Sequence, residues 1–163
     1  MTKAVFPGSF DPFTSGHANL VTRALSLFDE VIIAVGYNEH KAGWLPVEER
    51  VRALRVLYAD TPGVRVESYH TLTVDFALEQ GADCILRGVR STKDYEYEAD
   101  IADVNASLSG IETVILLADP TLSAVSSSVV RELHHFGRDI APWLPAGLTY
   151  NIPGKPATAT QAD

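Results

Sequence analysis

Short apolar runs of strand length alternate with amphipathic helix patterns along almost the whole chain, and this alternation restricts the possible folds more than any other feature. Five such runs are separated by stretches whose apolar residues recur at helical spacing. The predicted strands are Ala4–Phe6, Val31–Val35, Val64–Tyr69, Cys84–Leu86 and Thr113–Ala118. Strands that alternate with helices form parallel sheets with right-handed crossovers. We therefore predict an α/β fold in which helices flank an open, five-stranded parallel sheet.

The stretches between the strands carry the residues that begin and end helices. The first predicted helix follows the first strand and has Leu20, Val21, Ala24, Leu25 and Phe28 on one face. The others are one opened by Pro46, one over Val74–Gln80 capped by Thr73, a long acidic one over Lys93–Leu108, and a last one capped by Ser126 or Ser127 with Val129, Val130, Leu133 and Phe136 facing inward. No interior linker interrupts the pattern. We expect one Rossmann-like domain over residues 1–153 and a disordered polar tail over residues 154–163.

The composition limits the partners that the chain can have. Its 163 residues carry a formal net charge of −8 and a sequence pI of about 5.0, whereas nucleic-acid binding needs a basic surface. We expect no nucleic-acid partner and, because no apolar run approaches membrane-spanning length, no membrane partner. Cys84 is the only cysteine, so an internal disulfide is excluded, and we interpret it as a core residue. Together with the lack of an apolar segment near Met1, this predicts a cytoplasmic location.

The stretch Gly8–His17, which reads GSFDPFTSGH, carries the strongest functional signal. It follows the first predicted strand and leads into a helix, whose first turn has unpaired N–H groups and a partial positive charge that attract anions. Glycines near both ends let a ligand approach the backbone closely. His17 adds a further hydrogen-bond donor in that turn. We favour an anion site over the alternative of a helix cap with a surface histidine.

Polar stretches also follow the other four predicted strands, and all lie at the same edge of the sheet. They are Lys41 after the second strand, Thr73 after the third, Arg87 to Arg90 after the fourth, and Ser126 to Ser128 after the fifth. Ligands of open α/β sheets bind at this edge. Arg87 and Arg90 present planar donor groups suited to phosphate, although either could instead pair with an acid such as Asp94 or Glu96. The convergence of these stretches predicts an anionic ligand.

Several other reaction classes lack their signals. The stretch Gly8–His17, called the glycine loop below, matches neither the Walker A pattern nor GxGxxG. This argues against ATP-hydrolysing motors and dinucleotide dehydrogenases. There is no GxSxG elbow and no Cys, His, Asp and Glu cluster at metal-ligand spacing, so we expect no metal site built from protein side chains. Glu98 could accept hydrogen bonds from a ribose, or could face solvent with its acidic neighbours.

The chain resembles the bacterial phosphopantetheine adenylyltransferases of the nucleotidyltransferase superfamily over about Ala4 to Leu144. The TxGH pattern at Thr14–His17 is typical of the superfamily as a whole. The narrower resemblance rests on Pro7–His17 (PGSFDPFTSGH), Glu48–Arg50 (EER), Arg87–Glu98 (RGVRSTKDYEYE) and Val125–Glu132 (VSSSVVRE), in that order. It implies transfer of the adenylyl group of ATP to 4′-phosphopantetheine, which yields dephospho-coenzyme A and pyrophosphate.

The resemblance also implies roles for individual residues. It places stabilisation of the transition state at His17 and further catalytic roles at Lys41, Arg90 and Ser128. The implied ATP-binding residues are Ser9, Phe10, His17, Gly88, Val89, Arg90, Glu98, Leu122, Ser123, Ala124, Val125, Ser126, Ser127 and Ser128. The implied phosphopantetheine-binding residues are Ser9, Lys41, Thr73 and Arg87. Leu122 and Ala124 stand where many members have aromatic residues, and Thr73 replaces a commonly apolar residue.

The remaining expectations concern ligands, mechanism and assembly. The resemblance implies Mg²⁺ that enters with ATP, coenzyme A as a candidate feedback ligand, and a homohexamer. Because both reactants are anions, we expect in-line attack by the acceptor phosphate, aided by positioning and charge stabilisation, without a covalent enzyme intermediate. The alternatives are a related nucleotidyltransferase with another acceptor or with CTP, a non-catalytic ATP-binding regulatory module, and a flavodoxin-like electron carrier, which would not need these cations.

Overall fold

The five predicted strands form one parallel sheet in the computed structural model, which describes residues 1–38, 40 and 42–152. The strands are β1 (Lys3–Gly8), β2 (Glu30–Gly36), β3 (Val64–Tyr69), β4 (Cys84–Val89) and β5 (Glu112–Leu117). The helices are α1 (Ser15–Ala24), α2 (Val47–Leu57), α3 (Thr73–Glu79), α4 (Thr92–Ser109) and α5 (Ser127–His135), with short 3-10 turns at Pro120–Leu122 and Ala141–Trp143. The predicted fold class is confirmed.

The strand order, β3-β2-β1-β4-β5, places β1 at the centre of the sheet. The chain winds outward from β1 through β2 to β3, returns across the sheet to β4 on the other side of β1, and ends at β5. Every neighbouring pair is parallel, with Gly8 level with Val35 and Val5 level with Ile85. The winding direction therefore reverses between β1 and β4. The loops that leave these two strands diverge and open a crevice at the carboxyl edge.

Both faces of the sheet are covered, which explains the continuous apolar runs in the central strands. Alternate residues of β1 enter different core layers: Phe6 packs with the buried faces of α1 and α2, whereas Val5 packs with α3. Cys84 lies in the first of these layers and is only 5% exposed, so its interpretation as a core residue is confirmed. Burial is the main cause that raises the pKa of the Cys84 thiol to about 11.

Two helix ends differ from the sequence prediction in an informative way. Ser126 caps α5, because its Oγ accepts a hydrogen bond from the Val129 N–H at 3.2 Å, as one of the two predicted options required. Thr73 does not cap α3, since Leu72 occupies the cap position and Thr73 is the first helical residue. The Thr73 hydroxyl instead lies 3.0 Å from the Tyr69 hydroxyl, at the edge of the sheet.

The inward-facing prediction was wrong at one position of α5. Val130 is completely buried, but Phe136 is 71% exposed, because the helix ends at His135 and Phe136 falls past its last regular turn. No helix in the part of the chain that the structure describes is long and apolar enough to cross a membrane. The tail predicted over residues 154–163 lies outside the described residues.

Candidate functional site

Three connected cavities open at the carboxyl edge of the sheet. A first cleft of about 580 Å³ is lined by Gly16, His17, Leu20, Gly88, Arg90, Lys93, Tyr97, Glu98, Ala118, Leu122, Val125, Ser126 and Ser127, among others. A second cleft of about 630 Å³ is lined by Ser9, Asp11, Tyr37, Trp44, Arg50, Tyr69, Thr73 and Arg131, among others. A central cavity of about 260 Å³ lies between them, lined by residues such as Ser9, Phe10, His17, Arg87, Gly88 and Ser127. It shares His17, Leu20, Gly88 and Ser127 with the first cleft and Ser9 with the second.

Side chains from four distant positions hold the backbone of the glycine loop. Arg87 Nη1 donates to the Pro7 carbonyl at the end of β1 at 2.8 Å. The other three donate to loop carbonyls: Arg50 Nη1 to Ser9 at 2.6 Å, Arg131 Nη1 to Asp11 at 2.7 Å and Ser127 Oγ to Pro12 at 2.7 Å. The donors come from β4, α2 and α5. The loop that follows β1 is therefore fixed by the elements that surround it.

The Asp11 carboxylate fixes a second loop to the first. It accepts hydrogen bonds from the Trp44 N–H at 2.7 Å and the Leu45 N–H at 2.8 Å, and Asp11 itself is 8% exposed. The Trp44 ring also meets the His134 ring edge-on, with centroids 5.1 Å apart. Lys41, which the resemblance assigns to this second loop, lies outside the described residues.

His17 is held as a neutral hydrogen-bond donor. Its Nδ1 accepts a hydrogen bond from the Thr14 N–H at 3.0 Å, which assigns the remaining ring proton to Nε2. The rings of Phe6, Phe10 and Phe13 surround the imidazole at centroid distances of 6.2, 5.1 and 5.3 Å. This burial, followed by the charges of two nearby arginines, lowers the pKa of His17 to about 4. An uncharged imidazole can therefore offer its Nε2–H at the central cavity at neutral pH.

Phe10 supports the His17 ring at a cost in backbone conformation. Its φ of +47° lies in the left-handed region, which side-chain-bearing residues rarely adopt. Its ring packs so closely over Gly8 that a Cβ at that position would lie 2.9 Å from two ring carbons. Gly8 is therefore required by close packing, and Phe10 is 2% exposed. Phe10 also lines the central cavity.

The two predicted arginines pair with different acids. Arg87 donates from Nε and Nη2 to the two Glu98 oxygens at 2.7 and 2.6 Å. Arg90 donates from Nε to Asp94 at 3.1 Å. The alternative that the arginines pair with nearby acids thus holds for Arg90 with Asp94, and Arg87 has a partner farther along the chain. Both arginines nevertheless line the cavities and lie close enough to His17 to lower its pKa.

The residues predicted between positions 122 and 128 do not all face the cavities. Leu122, Val125, Ser126 and Ser127 line the first cleft. Ser123 and Ala124 are exposed, as is Ser128, whose hydroxyl accepts a hydrogen bond from Arg131 Nη2 at 3.2 Å. Val89 is 2% exposed and ends β4 behind Arg90. These four residues lie beside the site without forming the described walls of the three cavities.

Sequence reasoning did not identify the contacts of three residues that shape the site. Arg50 and Arg131 hold the loop after β1, Asp11 joins that loop to Trp44, and all three line the second cleft. Their types carried a signal, since a carboxylate and two guanidinium groups lie within the stretches that support the resemblance. The sequence could not reveal their hydrogen-bond partners, because Arg50 and Arg131 donate to loop carbonyls that are 41 and 120 residues away along the chain.

No metal-binding cluster is found in the part of the chain that the structure describes, where no three His, Cys, Asp or Glu side chains come close enough to hold an ion. The polar side chains that line the cavities include arginines, a lysine, the His17 imidazole and serine hydroxyls. The carboxylates that also line them, those of Asp11, Asp94 and Glu98, already accept hydrogen bonds from protein donors. This donor set complements phosphate groups better than it complements a bare cation.

Comparisons with known proteins agree with this chemistry. Residues 5–133 match the model of the cytidylyltransferase-like family. The chain is 51% identical over 148 residues to a phosphopantetheine adenylyltransferase of Phocaeicola vulgatus, covering 91% of this chain and 98% of that protein. Its identity to the enzyme of that name from Bacteroides thetaiotaomicron is 50%, covering 93% of this chain and 100% of that protein. For Streptomyces coelicolor the identity is 44%, covering 89% and 91%.

A solved structure supports the fold independently of these sequences. The lipopolysaccharide core biosynthesis protein of Thermoplasma volcanium has a TM-score of 0.54 and 21% identity, and the match covers 73% of this chain and 97% of that chain. At this level of identity the likeness concerns the arrangement of strands and helices only.

Proposed function

The chain belongs to the phosphopantetheine adenylyltransferases, within the cytidylyltransferase-like family, and from this we propose that it transfers the adenylyl group of ATP to 4′-phosphopantetheine. The products are dephospho-coenzyme A and pyrophosphate, in the synthesis of coenzyme A. The observation that carries this proposal is the position of neutral His17, with Arg87, in a small cavity that joins two larger clefts. Two anionic substrates can meet there, one from each cleft.

We assign ATP to the first cleft. Its apolar wall, which includes Leu20, Leu122 and Val125, suits an adenine base. Its polar wall includes Arg90 and Ser127 at the start of α5, which suit the phosphates. Lys93 and Tyr97 also line this cleft and add a cation and an aromatic ring that the sequence did not single out.

We assign the acceptor to the second cleft, with its phosphate in the central cavity. Ser9 lines both spaces, so its hydroxyl can contact the acceptor phosphate from the loop after β1. Arg87 supplies the charge, and Thr73 lines the second cleft farther out, where the pantetheine arm would extend. The role that the resemblance gives to Lys41 stays part of this proposal, as does the catalytic role of Ser128.

The proposed reaction is a direct in-line displacement. An oxygen of the acceptor phosphate attacks the α-phosphorus of ATP, and the bond from that phosphorus to the bridging oxygen of pyrophosphate breaks. His17 Nε2–H and the arginines stabilise the negative charge that builds on the transferring phosphoryl oxygens. The neutral state of His17 lets it donate this hydrogen bond without losing a proton, and no covalent enzyme intermediate forms.

We also propose the finer features that the resemblance implies. Mg²⁺ enters as the complex with ATP, held mainly by phosphate oxygens and water. Coenzyme A, which shares the shape of the product, is the candidate feedback ligand. The proposed location is the cytoplasm. A homohexamer is the proposed assembly, supported by the exposed side chains of Ile101, Val104 and Leu108 on one face of α4, which a second copy of the chain would cover.

The function is tested by measuring pyrophosphate release from ATP and Mg²⁺ with different acceptors. We expect release with 4′-phosphopantetheine and none with nicotinamide mononucleotide, glycerol 3-phosphate or no acceptor. Release with one of the control acceptors would retain the superfamily chemistry but reject the proposed substrate. ATP binding without release for any acceptor would favour a regulatory module over an enzyme.

A further inference from the structure

One ion pair connects the first cleft to the central cavity. Glu98 lines the first cleft and Arg87 lines the central cavity, and the carboxylate binds the guanidinium through two short hydrogen bonds of 2.6 and 2.7 Å. The side chains are 10% and 29% exposed, respectively. Glu98 is also the one residue of α4 that is buried. The helix therefore meets the site through a carboxylate, at a position where an apolar residue would be usual.

The pair leaves Arg87 only one orientation. A guanidinium has five N–H donors, of which Glu98 takes two and the Pro7 carbonyl takes a third at 2.8 Å. Counting only contacts with the residues that the structure describes, two of the five N–H donors of Arg87 remain for a ligand. Because the planar group is held both by α4 and by the end of β1, these remaining donors point in a fixed direction, set before any ligand binds.

The pair also limits the charge of the central cavity. A carboxylate in bidentate contact offsets most of the field of one guanidinium. Without it, the cavity would attract anions of any shape more strongly, because Arg87 would act there as an uncompensated cation. Strong binding of the substrate in its ground state does not speed the reaction, whereas binding that improves only in the transition state does.

We propose that Glu98 is a positioning residue for the acceptor phosphate: it orients Arg87 and moderates its charge, so that the phosphate is held in line for attack. This inference rests on the proposed function, since it concerns the acceptor of that reaction. It differs from the role as a ribose contact that the resemblance implies, because it acts through Arg87 on the other substrate.

The test compares Glu98→Gln with the control Glu96→Gln, which removes the same charge from an exposed position of the same helix. In Glu98→Gln the KM for 4′-phosphopantetheine should fall roughly threefold to tenfold, because Arg87 loses its counter-charge. The kcat should fall on the order of tenfold to a hundredfold, because the guanidinium is no longer aligned. A merely structural ion pair would lower the melting temperature without lowering KM and kcat together. The control should leave both constants unchanged.

Further measurements distinguish the positioning of Arg87 from a contact with ribose, and a second variant replaces Glu98→Gln if that variant does not fold. If Glu98 only contacts ribose, Glu98→Gln should lower kcat with ATP but not with 2′-deoxy-ATP or 3′-deoxy-ATP. The KM for 4′-phosphopantetheine should then equal that of the wild type. That result would overturn the inference. Glu98→Asp keeps the charge but shortens the side chain. Its kcat should therefore fall, with little change in the KM for the acceptor. This variant tests the proposal if Glu98→Gln does not fold. An unchanged kcat in Glu98→Asp would also overturn it. If the wild-type chain releases no pyrophosphate with phosphopantetheine, the proposed function itself fails.

Discussion

At the scale of single residues, the surroundings of His17 decide which proton it carries and whether it is charged. The hydrogen bond from the Thr14 N–H occupies Nδ1, and three phenylalanine rings remove most of the water that would stabilise a charged ring. The result is a donor whose pKa of about 4 keeps it neutral at the pH of a cell. Positive charge in the central cavity comes from Arg87, and the imidazole adds a directed hydrogen-bond donor.

Replacing His17 by Ala removes that donor from the central cavity. If the donor acts on the transition state, kcat should fall on the order of a hundredfold to a thousandfold. The Kd for ATP should change much less, because the cleft walls that hold the base and the outer phosphates stay in place. Steady-state kinetics with both substrates, combined with titration of ATP, measure the two effects. Equal losses in ATP affinity and kcat would contradict a role in the transition state.

The sequence identified the residue types of the site more reliably than their partners. Arg87, Arg90 and His17 were predicted from their positions after strands, and they do line the connected cavities. The pairing of Arg90 with Asp94 is local, because Arg90 directly precedes the Ser91 cap and Asp94 lies in the first turn of α4. The pairing of Arg87 with Glu98 could not be predicted, because it depends on how α4 is rotated against the end of β4.

At the scale of structural elements, the loop after β1 takes its shape from its neighbours. Arg50 of α2 is 5% exposed and donates to two carbonyls, those of Ser9 and Leu45. It thereby joins the start of α2 to the loop that lines both the second cleft and the central cavity. A buried cation fits here because the backbone oxygens satisfy its donors and the nearby Asp11 carboxylate offsets its charge.

Replacing Arg50 by Lys should therefore damage both the fold and the acceptor site. Lysine cannot present two separated donors in one plane, so at least one buried carbonyl loses its partner, which should lower the free energy of unfolding by about 1–3 kcal/mol. The KM for the acceptor should rise, because Ser9 is no longer fixed. Urea unfolding and steady-state kinetics measure these effects.

Arg55→Lys is the matched control, since Arg55 lies on the same helix and its side chain, paired with Glu67, is 58% exposed. This change should alter stability by no more than about 0.5 kcal/mol. Equal behaviour of the two variants would show that the buried hydrogen bonds of Arg50 do not organise the loop.

Element boundaries were predicted well where local chemistry sets them and poorly where packing does. The strand Val64–Tyr69 and the Ser126 cap matched because turns and capping side chains lie in the sequence itself. Thr73 was misread as a cap because a threonine before an apolar run satisfies the local pattern. Its hydroxyl faces Tyr69 instead, a contact made by a tertiary neighbour.

At the scale of the whole molecule, the strand order creates the site. Reversal between β1 and β4 separates the loops that follow them, and the gap lies between the glycine loop and the Arg87 end of β4. The alternation of strands and helices was enough to predict a parallel sheet and the edge at which the three cavities open. The division of that edge into two clefts and a central cavity depends on side-chain packing, which no periodicity in the sequence encodes.

Stability should fall as the pH is lowered, in two windows with different causes. In the unfolded chain His17 takes up a proton near its ordinary pKa of 6.5, whereas in the folded chain it does so only near 4. Between these values the unfolded state binds more protons, so stability is lost as the pH falls from about 6.5 toward about 4. The hydrogen bond from Arg52 lowers the pKa of Glu49 from 4.5 to about 2. Further stability should therefore be lost as the pH falls from about 4.5 toward about 2.

Melting temperatures of the wild type and His17→Ala across this range check the prediction. The variant should melt lower overall, but its melting temperature should change less between pH 6.5 and pH 4. His135→Ala, which removes an exposed histidine, is the control and should keep the wild-type slope. An unchanged slope in His17→Ala would contradict the burial of a neutral imidazole.

The most direct test of the account follows the α-phosphate of ATP through the reaction. The chain is incubated with Mg²⁺, 4′-phosphopantetheine and ATP labelled in that phosphate, and the products and the protein are then separated. We predict that the label enters dephospho-coenzyme A in amounts equal to the pyrophosphate released, and that none is bound to the protein. Label in free AMP, or on the protein, or no transfer to the acceptor, would contradict direct adenylyl transfer at this site.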